Sequence, residues 1–220
     1  MLEQSNFTEL RIVNMGLISN GTTLLDAGAI DSGIPTGAMT LIKTLTASGA
    51  STLSFVHGAS SVVLDSTYKK YVFKFINIHP SGNNRFQFNG SIDAGSNYNV
   101  DKTSTVFIAQ HDEDEGEDPS LIYQPGDDLA NATGFQDLMA FGNQDDDNDH
   151  NLNGTLQLFE PSSTVFVKHF TSITQANISS NYSVQTFVGG YFNNANDIDA
   201  IRFQMNSGNF DGIIKLYGIK

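Results

Sequence analysis

The sequence contains no cysteine and no tryptophan among its 220 residues. Without cysteine the chain has no disulfide, no thiol nucleophile, no iron–sulfur cluster and no thiolate zinc site, so its stability must come from packing, strand pairing or association. Lysine and arginine total only 11, against 24 aspartates and glutamates, which gives a formal net charge of −13. Such a surface repels nucleic acids and anionic membranes, and we expect the protein to bind neither.

Long apolar runs are missing as well. No stretch approaches the roughly 18 apolar residues that a membrane-spanning helix needs. The first ten residues, MLEQSNFTEL, lack the basic-then-apolar order of a secretory signal. We therefore expect a protein that is made in the cytoplasm and is soluble, or is assembled into a larger particle after synthesis.

From Met39 onward the residues follow a β pattern. The clearest case is residues 71–78, where aromatic residues alternate with others before His79-Pro80 ends the run. About ten such runs are separated by glycine, proline and asparagine turns, and none shows helical periodicity. The pattern predicts an all-β fold, an antiparallel, jelly-roll-like β-sandwich over residues 39–220.

Residues 1–38 differ from the rest of the chain. Short apolar fragments are interrupted by Asn20-Gly21 and by Ile34-Pro35, so neither a helix nor a confident strand is predicted. The leucines and isoleucines are costly to leave in water. We expect an extended N-terminal arm that anchors the domain on a neighbouring subunit. The alternative is a flexible N-terminal segment without a binding role.

Two stretches suggest hairpins. Residues 41–46 and 52–56 flank a small-residue loop, and residues 198–205 and 213–219 flank the turn Asn206–Asn209. The second pair would close the sandwich and place Lys220 near a sheet edge. Its expected core residues are Phe203, Met205, Ile214 and Leu216.

Two acidic loops raise the question of calcium. Six of the seven residues from Asp112 to Asp118 are carboxylates, which is typical of a solvated loop. Asp145, Asp147 and Asp149 alternate as in a calcium loop. An EF-hand, however, needs glycine at the sixth position, occupied here by His150, and glutamate at the twelfth, occupied by Leu156. Solvated loops are the main interpretation, and calcium in either loop is the alternative.

No catalytic motif is present, neither a G-x-S-x-G elbow, nor a P-loop, nor a dinucleotide fingerprint. The histidines do not have zinc-ligand spacing. Core packing is the expected role of the tyrosines, and an exposed sugar-binding surface is the alternative. We therefore expect no enzyme, no catalytic residue, no cofactor and no metal ligand. The histidines are His57, His79, His111, His150 and His169, and the tyrosines in loops or at strand edges are Tyr98, Tyr123, Tyr182 and Tyr191.

Five segments are similar to a family of virion structural proteins of tailed bacteriophages, especially marine phages that infect cyanobacteria. The most specific are Y-K-K-Y-V-F-K-F-I-N-I-H-P at residues 68–80 and S-G-N-F-D-G-I-I-K-L-Y-G-I at residues 207–219. The likeness spans about residues 41–220 and lies in the segments 41–58, 65–80, 96–100, 167–170 and 203–219.

The resemblance implies a non-enzymatic virion component, either a tail fibre or appendage or a capsid-decorating protein, made in the bacterial host cytoplasm and found in the virion. Its implied partners are other virion proteins and further copies of itself, a trimer being one option. A carbohydrate-binding module that recognises a host surface glycan is the alternative function. The acidic insert at residues 112–118 has no role in this comparison.

Overall fold

The structure is a computed structural model that describes residues 38–117 and 119–220 and, before them, the backbone of three strands. The chain divides into two units, Met1–Ala38 and Met39–Lys220. In the first unit, β1 (Leu17–Ser19), β2 (Thr22–Asp26) and β3 (Ala29–Ile30) pair in an antiparallel sheet. The rest of the arm predicted over residues 1–38 lies outside the described residues, and the arm stays a prediction.

The second unit consists of two antiparallel sheets packed face to face. The large sheet has eight strands in the order β4-β15-β6-β11-β12-β13-β8-β9, and the small sheet has four in the order β10-β7-β14-β5. The large sheet contains β4 (Met39–Ala50), β6 (Lys70–Pro80), β8 (Lys102–Asp112), β9 (Ser120–Tyr123), β11 (Leu152–Phe159), β12 (Lys168–Ile178), β13 (Tyr182–Phe192) and β15 (Phe210–Ile219). The small sheet contains β5 (Thr52–Val56), β7 (Phe86–Ser91), β10 (Gln136–Asp137) and β14 (Ala200–Met205).

The predicted fold class, an all-β, jelly-roll-like sandwich, is confirmed, and no helix occurs among the described residues. Both predicted hairpins are wrong. β4 and β5 lie in different sheets, as do β14 and β15, so each short connection crosses between the layers. Gly49, near the end of β4, and Gly208, in the turn before β15, have positive φ values of 59° and 72°, a conformation that other residues adopt rarely.

The physical reason for the crossing is that the apolar side chains of both strands need the same core. Phe203 and Met205 on β14 and Ile214 and Leu216 on β15 are all buried, as predicted. They reach that core from opposite layers. β15 lies between β4 and β6, so Lys220 follows a strand that is one position in from the sheet edge.

The segment before β12 is not part of the sheet. Residues 165–167 form an exposed loop, and β12 begins at Lys168. Val165 and Phe166 are 73% and 68% exposed. Two exposed apolar side chains on one loop favour a contact with another molecule over a position in the sheet.

The core is built from phenylalanine rings that meet between the layers. The ring of Phe203 lies 5.2 Å from those of Phe73 and Phe75 on β6, centroid to centroid. On its own sheet it lies 6.2 Å from Phe55 and 5.8 Å from Phe86. Phe203 is fully buried and joins both sheets, so its removal leaves a cavity that neither sheet can fill alone.

Gly218 allows a close approach that a larger residue would prevent. A Cβ at this position would lie 2.3 Å from the ring of Tyr68. Tyr68 packs edge to face on Tyr71 at 5.7 Å. The two most specific segments of the phage resemblance thus touch each other through Gly218 and Tyr68, and these motif residues have a packing role.

The change Phe203→Ala is expected to lower the free energy of unfolding by about 3–5 kcal/mol, because it opens a cavity at the contact between the sheets. Urea denaturation measures the loss. Phe107→Ala, which truncates a ring that is 40% exposed, serves as control and is expected to cost about 1 kcal/mol or less. Equal losses for the two variants would contradict the central role of Phe203.

Candidate functional site

The outer face of the large sheet carries a row of apolar side chains. Cross-strand pairing aligns Tyr123 with Phe107, Phe107 with Phe187, and Phe187 with Ile173. On β8, β13 and β12 the neighbours of Phe107, Phe187 and Ile173 along the strand are buried, because side chains alternate between the two faces of a strand. Tyr123, Phe107 and Ile173 are 51%, 40% and 45% exposed. We call these four residues the aromatic row.

The rings of Phe107 and Phe187 are stacked almost parallel, with centroids 4.6 Å apart and 8° between the planes. The Tyr123 hydroxyl donates a hydrogen bond to the Asp128 carboxylate. Gln175 and Gln185 are paired across β12 and β13 two residues further along. The aromatic row is therefore bordered by amide groups, and an outer face with this much apolar area is a candidate binding surface.

The other half of the same face is basic. Lys74 on β6 and Lys215 on β15 are direct cross-strand partners, and Lys70 lies further along β6 opposite Ile219. The Lys74 ammonium is 5.2 Å from the centroid of the Tyr217 ring. We call Lys70, Lys74 and Lys215 the lysine face.

An open groove lies at one end of the large sheet. Its volume is about 570 Å³, and its lining includes Lys70, Phe159, Phe166 and His169. The exposed loop of residues 160–167 forms one wall. Ser163 Oγ accepts hydrogen bonds from the N–H groups of residues 165 and 166, so this loop has a defined shape despite its exposure.

Two buried lysines hold the same end of the sandwich together. Lys102 is 0% exposed, and its ammonium donates to Asn89 Oδ1 at 2.7 Å and to the Val100 carbonyl at 3.0 Å. It also lies 5.6 Å from the centroid of the Phe192 ring. Burial lowers the pKa of Lys102 to about 7, against an opposing effect of Asp101.

Lys168 is buried in the same way on the other side of Phe192, which pairs with both lysines across its strand. Its ammonium donates to the carbonyls of Ser163, Phe166 and Asn194 at 3.0, 3.2 and 2.8 Å. Burial lowers the pKa of Lys168 as well. The sequence prediction missed both residues, although the alternation in residues 102–108 and 168–178 places each on an inward face.

The acidic loop at residues 145–149 brings together part of its candidate ligands. Asp145, Asp147 and His150 place one ligand atom each within 4.8 Å of one another, and Asp149 is outside that group. One imidazole with two carboxylates suits a transition metal better than calcium. His150 Nδ1 and Asp145 Oδ1 are hydrogen-bonded to each other, and the Asp147 N–H donates to Asp145 Oδ1 at 3.2 Å. Burial raises the pKa of Asp145, but these hydrogen bonds outweigh it and hold the pKa below its usual value.

The acidic loop between β8 and β9 is organised by Asp112. Its two carboxylate oxygens accept the N–H groups of Asp114 at 3.2 Å and of Gly116 at 3.0 Å. The carboxylates of the next residues, Glu113, Asp114, Glu115 and Glu117, are exposed. Asp118 lies outside the described residues. The loop thus has a defined form in which the acids point to solvent.

A partly buried carboxylate pair was not expected from the sequence. Arg85 Nη1 donates to Asp127 at 2.5 Å and to Asp137 at 3.3 Å, and Gln87 donates to the other oxygen of Asp137 at 2.5 Å. Burial raises the pKa of Asp137 despite these partners. Neither Asp127 nor Asp137 was identified from the sequence. Their common partner Arg85 also donates to the Gly142 carbonyl, which ties residues 127–142 to β7.

The histidines and tyrosines weighed in the sequence do not converge on one site. His79 Nδ1 donates a hydrogen bond to the His150 carbonyl at 2.7 Å, and the His169 ring lies 5.8 Å from that of Tyr191. The Tyr98 ring is buried under Arg202 at 3.8 Å. His57 and His111 are exposed and Tyr182 is partly buried, and all three lie apart from these contacts.

Comparison of the chain with protein-family models, with curated protein sequences and with solved structures finds no match. Within the described residues, no helix is long and apolar enough to cross a membrane. Function must therefore be argued from the outer sheet face, the buried lysines and the sequence resemblance.

Lys102 is expected to make stability depend on pH between about 7 and 10. Its pKa is about 7 in the folded protein and near 10.4 in an unfolded chain. Across that window the unfolded chain binds the additional proton, so the free energy of unfolding rises with pH, by at most about 1.4 kcal/mol per pH unit. Urea denaturation at several pH values measures the slope.

The variant Lys102→Met removes the titrating group and keeps the volume, so its slope is expected to be smaller. Lys168 contributes in the same direction and keeps part of it. Lys70→Met, on the outer face, is the matched control and should retain the wild-type slope. Identical slopes for wild type and Lys102→Met would contradict the assignment.

Proposed function

We propose that the chain is a non-enzymatic structural component of a bacteriophage virion, displayed on the particle surface and assembled through its N-terminal arm. It serves either as a tail fibre or appendage or as a capsid-decorating protein. Its partners are other virion proteins and further copies of the chain. It is made in the host cytoplasm and resides in the virion.

The observation that supports this proposal most is where the motif segments lie in the fold. Residues 68–80 and 207–219 include β6 and β15, which are neighbours in the large sheet. Their apolar side chains fill the core, and Gly218 packs against the Tyr68 ring. The resemblance thus involves residues on which the sandwich itself depends, over both of its most specific segments.

A display role also agrees with the distribution of polar and apolar groups. The core is rich in aromatic side chains, while the outer face of the large sheet exposes the aromatic row and the lysine face. A surface of this kind favours contacts with other macromolecules. The net charge of −13 keeps the remaining surface soluble, and salt screens the self-repulsion.

Quantitative mass spectrometry of purified virions from the phage that encodes the chain tests the proposal. We expect the protein in every preparation of intact particles. A few copies per particle identify an appendage, and hundreds identify a decorating protein, because the copy number follows the symmetry of the attachment site. Its absence from particles that contain the other structural proteins would sink the proposal.

A deletion of residues 1–38 separates the arm from the sandwich. The shortened protein is expected to keep the thermal unfolding transition of the sandwich and to be missing from particles. Full-length protein added in parallel is the control for assembly. Incorporation of the shortened protein at the full-length level would show that the arm is not the anchor.

The aromatic row favours a second candidate function, a carbohydrate-binding module that recognises a host surface glycan. Aromatic rings beside amide groups provide the apolar contact and the hydrogen bonds that sugar rings accept. A glycan array with the full chain tests it. Phe107→Ala is expected to weaken any bound glycan by about tenfold, whereas the control Phe159→Ala, a ring outside the row, should bind as wild type does. An empty array would reject this candidate and leave the structural role in place.

A further inference from the structure

The accessible basic groups of this acidic protein are concentrated in one region. Among the described residues, Lys102 and Lys168 are buried, Arg85 and Arg202 are packed against Asp127 and Tyr98, and Lys43 donates to the Ser60 carbonyl. The remaining described cations all lie on β6 and β15 or at their ends. They are Lys69, Lys70, Lys74, Lys215 and Lys220.

Lys74 and Lys215 form the centre of this region and are directly opposite each other in the sheet. Like charges in such a pair destabilise a sheet. Within the part of the chain that the structure describes, neither ammonium has a carboxylate within 4.0 Å. The pair is therefore unfavourable in the isolated domain and becomes favourable when an anion lies over it.

Beyond Thr44 and Thr155, which pair with Lys215 and Lys74, the border of the lysine face is apolar, which favours a macromolecular partner over a small ion. Leu41 on β4 is 51% exposed, and Ile76, Ile213 and Tyr217 are partly exposed on the same face. Burial of this border excludes water from the lysines and strengthens their attraction to an acidic group.

The chain itself provides a matching acidic surface in the loop between β8 and β9. Glu113, Asp114, Glu115 and Glu117 are exposed there. Asp112 fixes the loop through the N–H groups of residues 114 and 116, and the Glu113 N–H donates to the Asn181 carbonyl at 3.0 Å. A loop that is already ordered loses little entropy when it binds.

This loop cannot reach the lysines of its own molecule. β8 and β6 are separated by β13, β12 and β11, and four steps between strands correspond to about 19 Å. The acidic loop and the lysine face thus lie toward opposite edges of the large sheet. They can meet only between two molecules.

We propose that the lysine face of one copy, centred on Lys74 and Lys215, binds the acidic β8–β9 loop of a second copy. The two surfaces differ, so the contact is heterologous and joins copies head to tail into a ring or an open chain. The contact is a property of the protein in solution. The contact and the virion role are independent of each other, so the failure of one does not reject the other.

Sedimentation velocity of the full chain, as a function of protein concentration and salt, tests the contact. At about 0.01 M salt we expect reversible association that weakens toward about 1 M salt, because the charges are then screened. A protein that stays monomeric at low salt up to the highest soluble concentration would overturn the proposal.

Charge reversal identifies the two surfaces. Lys74→Glu/Lys215→Glu alone and Glu113→Lys/Asp114→Lys alone are each expected to weaken association by about tenfold or more. The two double variants mixed together should associate again, since each then offers the complement of the other. Asp146→Lys/Asp147→Lys makes the same charge change in a different acidic loop and should associate no more weakly than wild type.

Two results would reject the assignment. One is association that survives both reversals, or that the mixture does not restore. The other is a wild-type protein that is monomeric but retained on a sulfated polysaccharide through Lys74 and Lys215, which would identify an anionic glycan as the occupant. Thermal unfolding of each variant confirms that the substituted outer face leaves the core intact.

Discussion

The aromatic contact at Phe203 is the interaction on which the sandwich depends. Its ring meets Phe73 and Phe75 of the large sheet and Phe55 and Phe86 of the small one. With no disulfide in the chain, no side-chain cross-link joins the two layers. Dispersion and apolar burial at this contact therefore set the spacing of the sheets. The rings that meet there belong to β5, β6, β7 and β14.

The sequence predicted this core better than it predicted the connections. Alternation along β6 and β15 identified the inward residues correctly, because side-chain direction has a period of two whatever the partner strand is. The choice of partner was wrong for β4–β5 and β14–β15. A short turn with glycine suits a hairpin and a crossing between layers equally well, and only the burial of Phe203 and Ile214 from opposite sheets decides between them.

The polar features were the hardest to predict, for a common reason. Lys102 and Lys168 follow the inward alternation, yet lysine is rarely buried. Each ammonium needs a partner that is distant in sequence, Asn89 for Lys102 and Asn194 for Lys168, besides carbonyls close to it in the chain. Asp127 and Asp137 were not identified, because their partner Arg85 lies 42 and 52 residues away in sequence. The aromatic row also needs the order of four strands before its members become neighbours. Local sequence contains none of this information.

The position of β15 between β4 and β6 has a consequence for synthesis. The first strand of the sandwich, β4, and the strand next to it, β6, share β15 as their neighbour, although β15 is the last strand of the domain to be made. Until it arrives, β6 has one open edge and β4 has no partner in its sheet. Pairings this distant along the chain fold slowly and leave edges exposed on the way. During synthesis the large sheet therefore stays incomplete until β15 has been made.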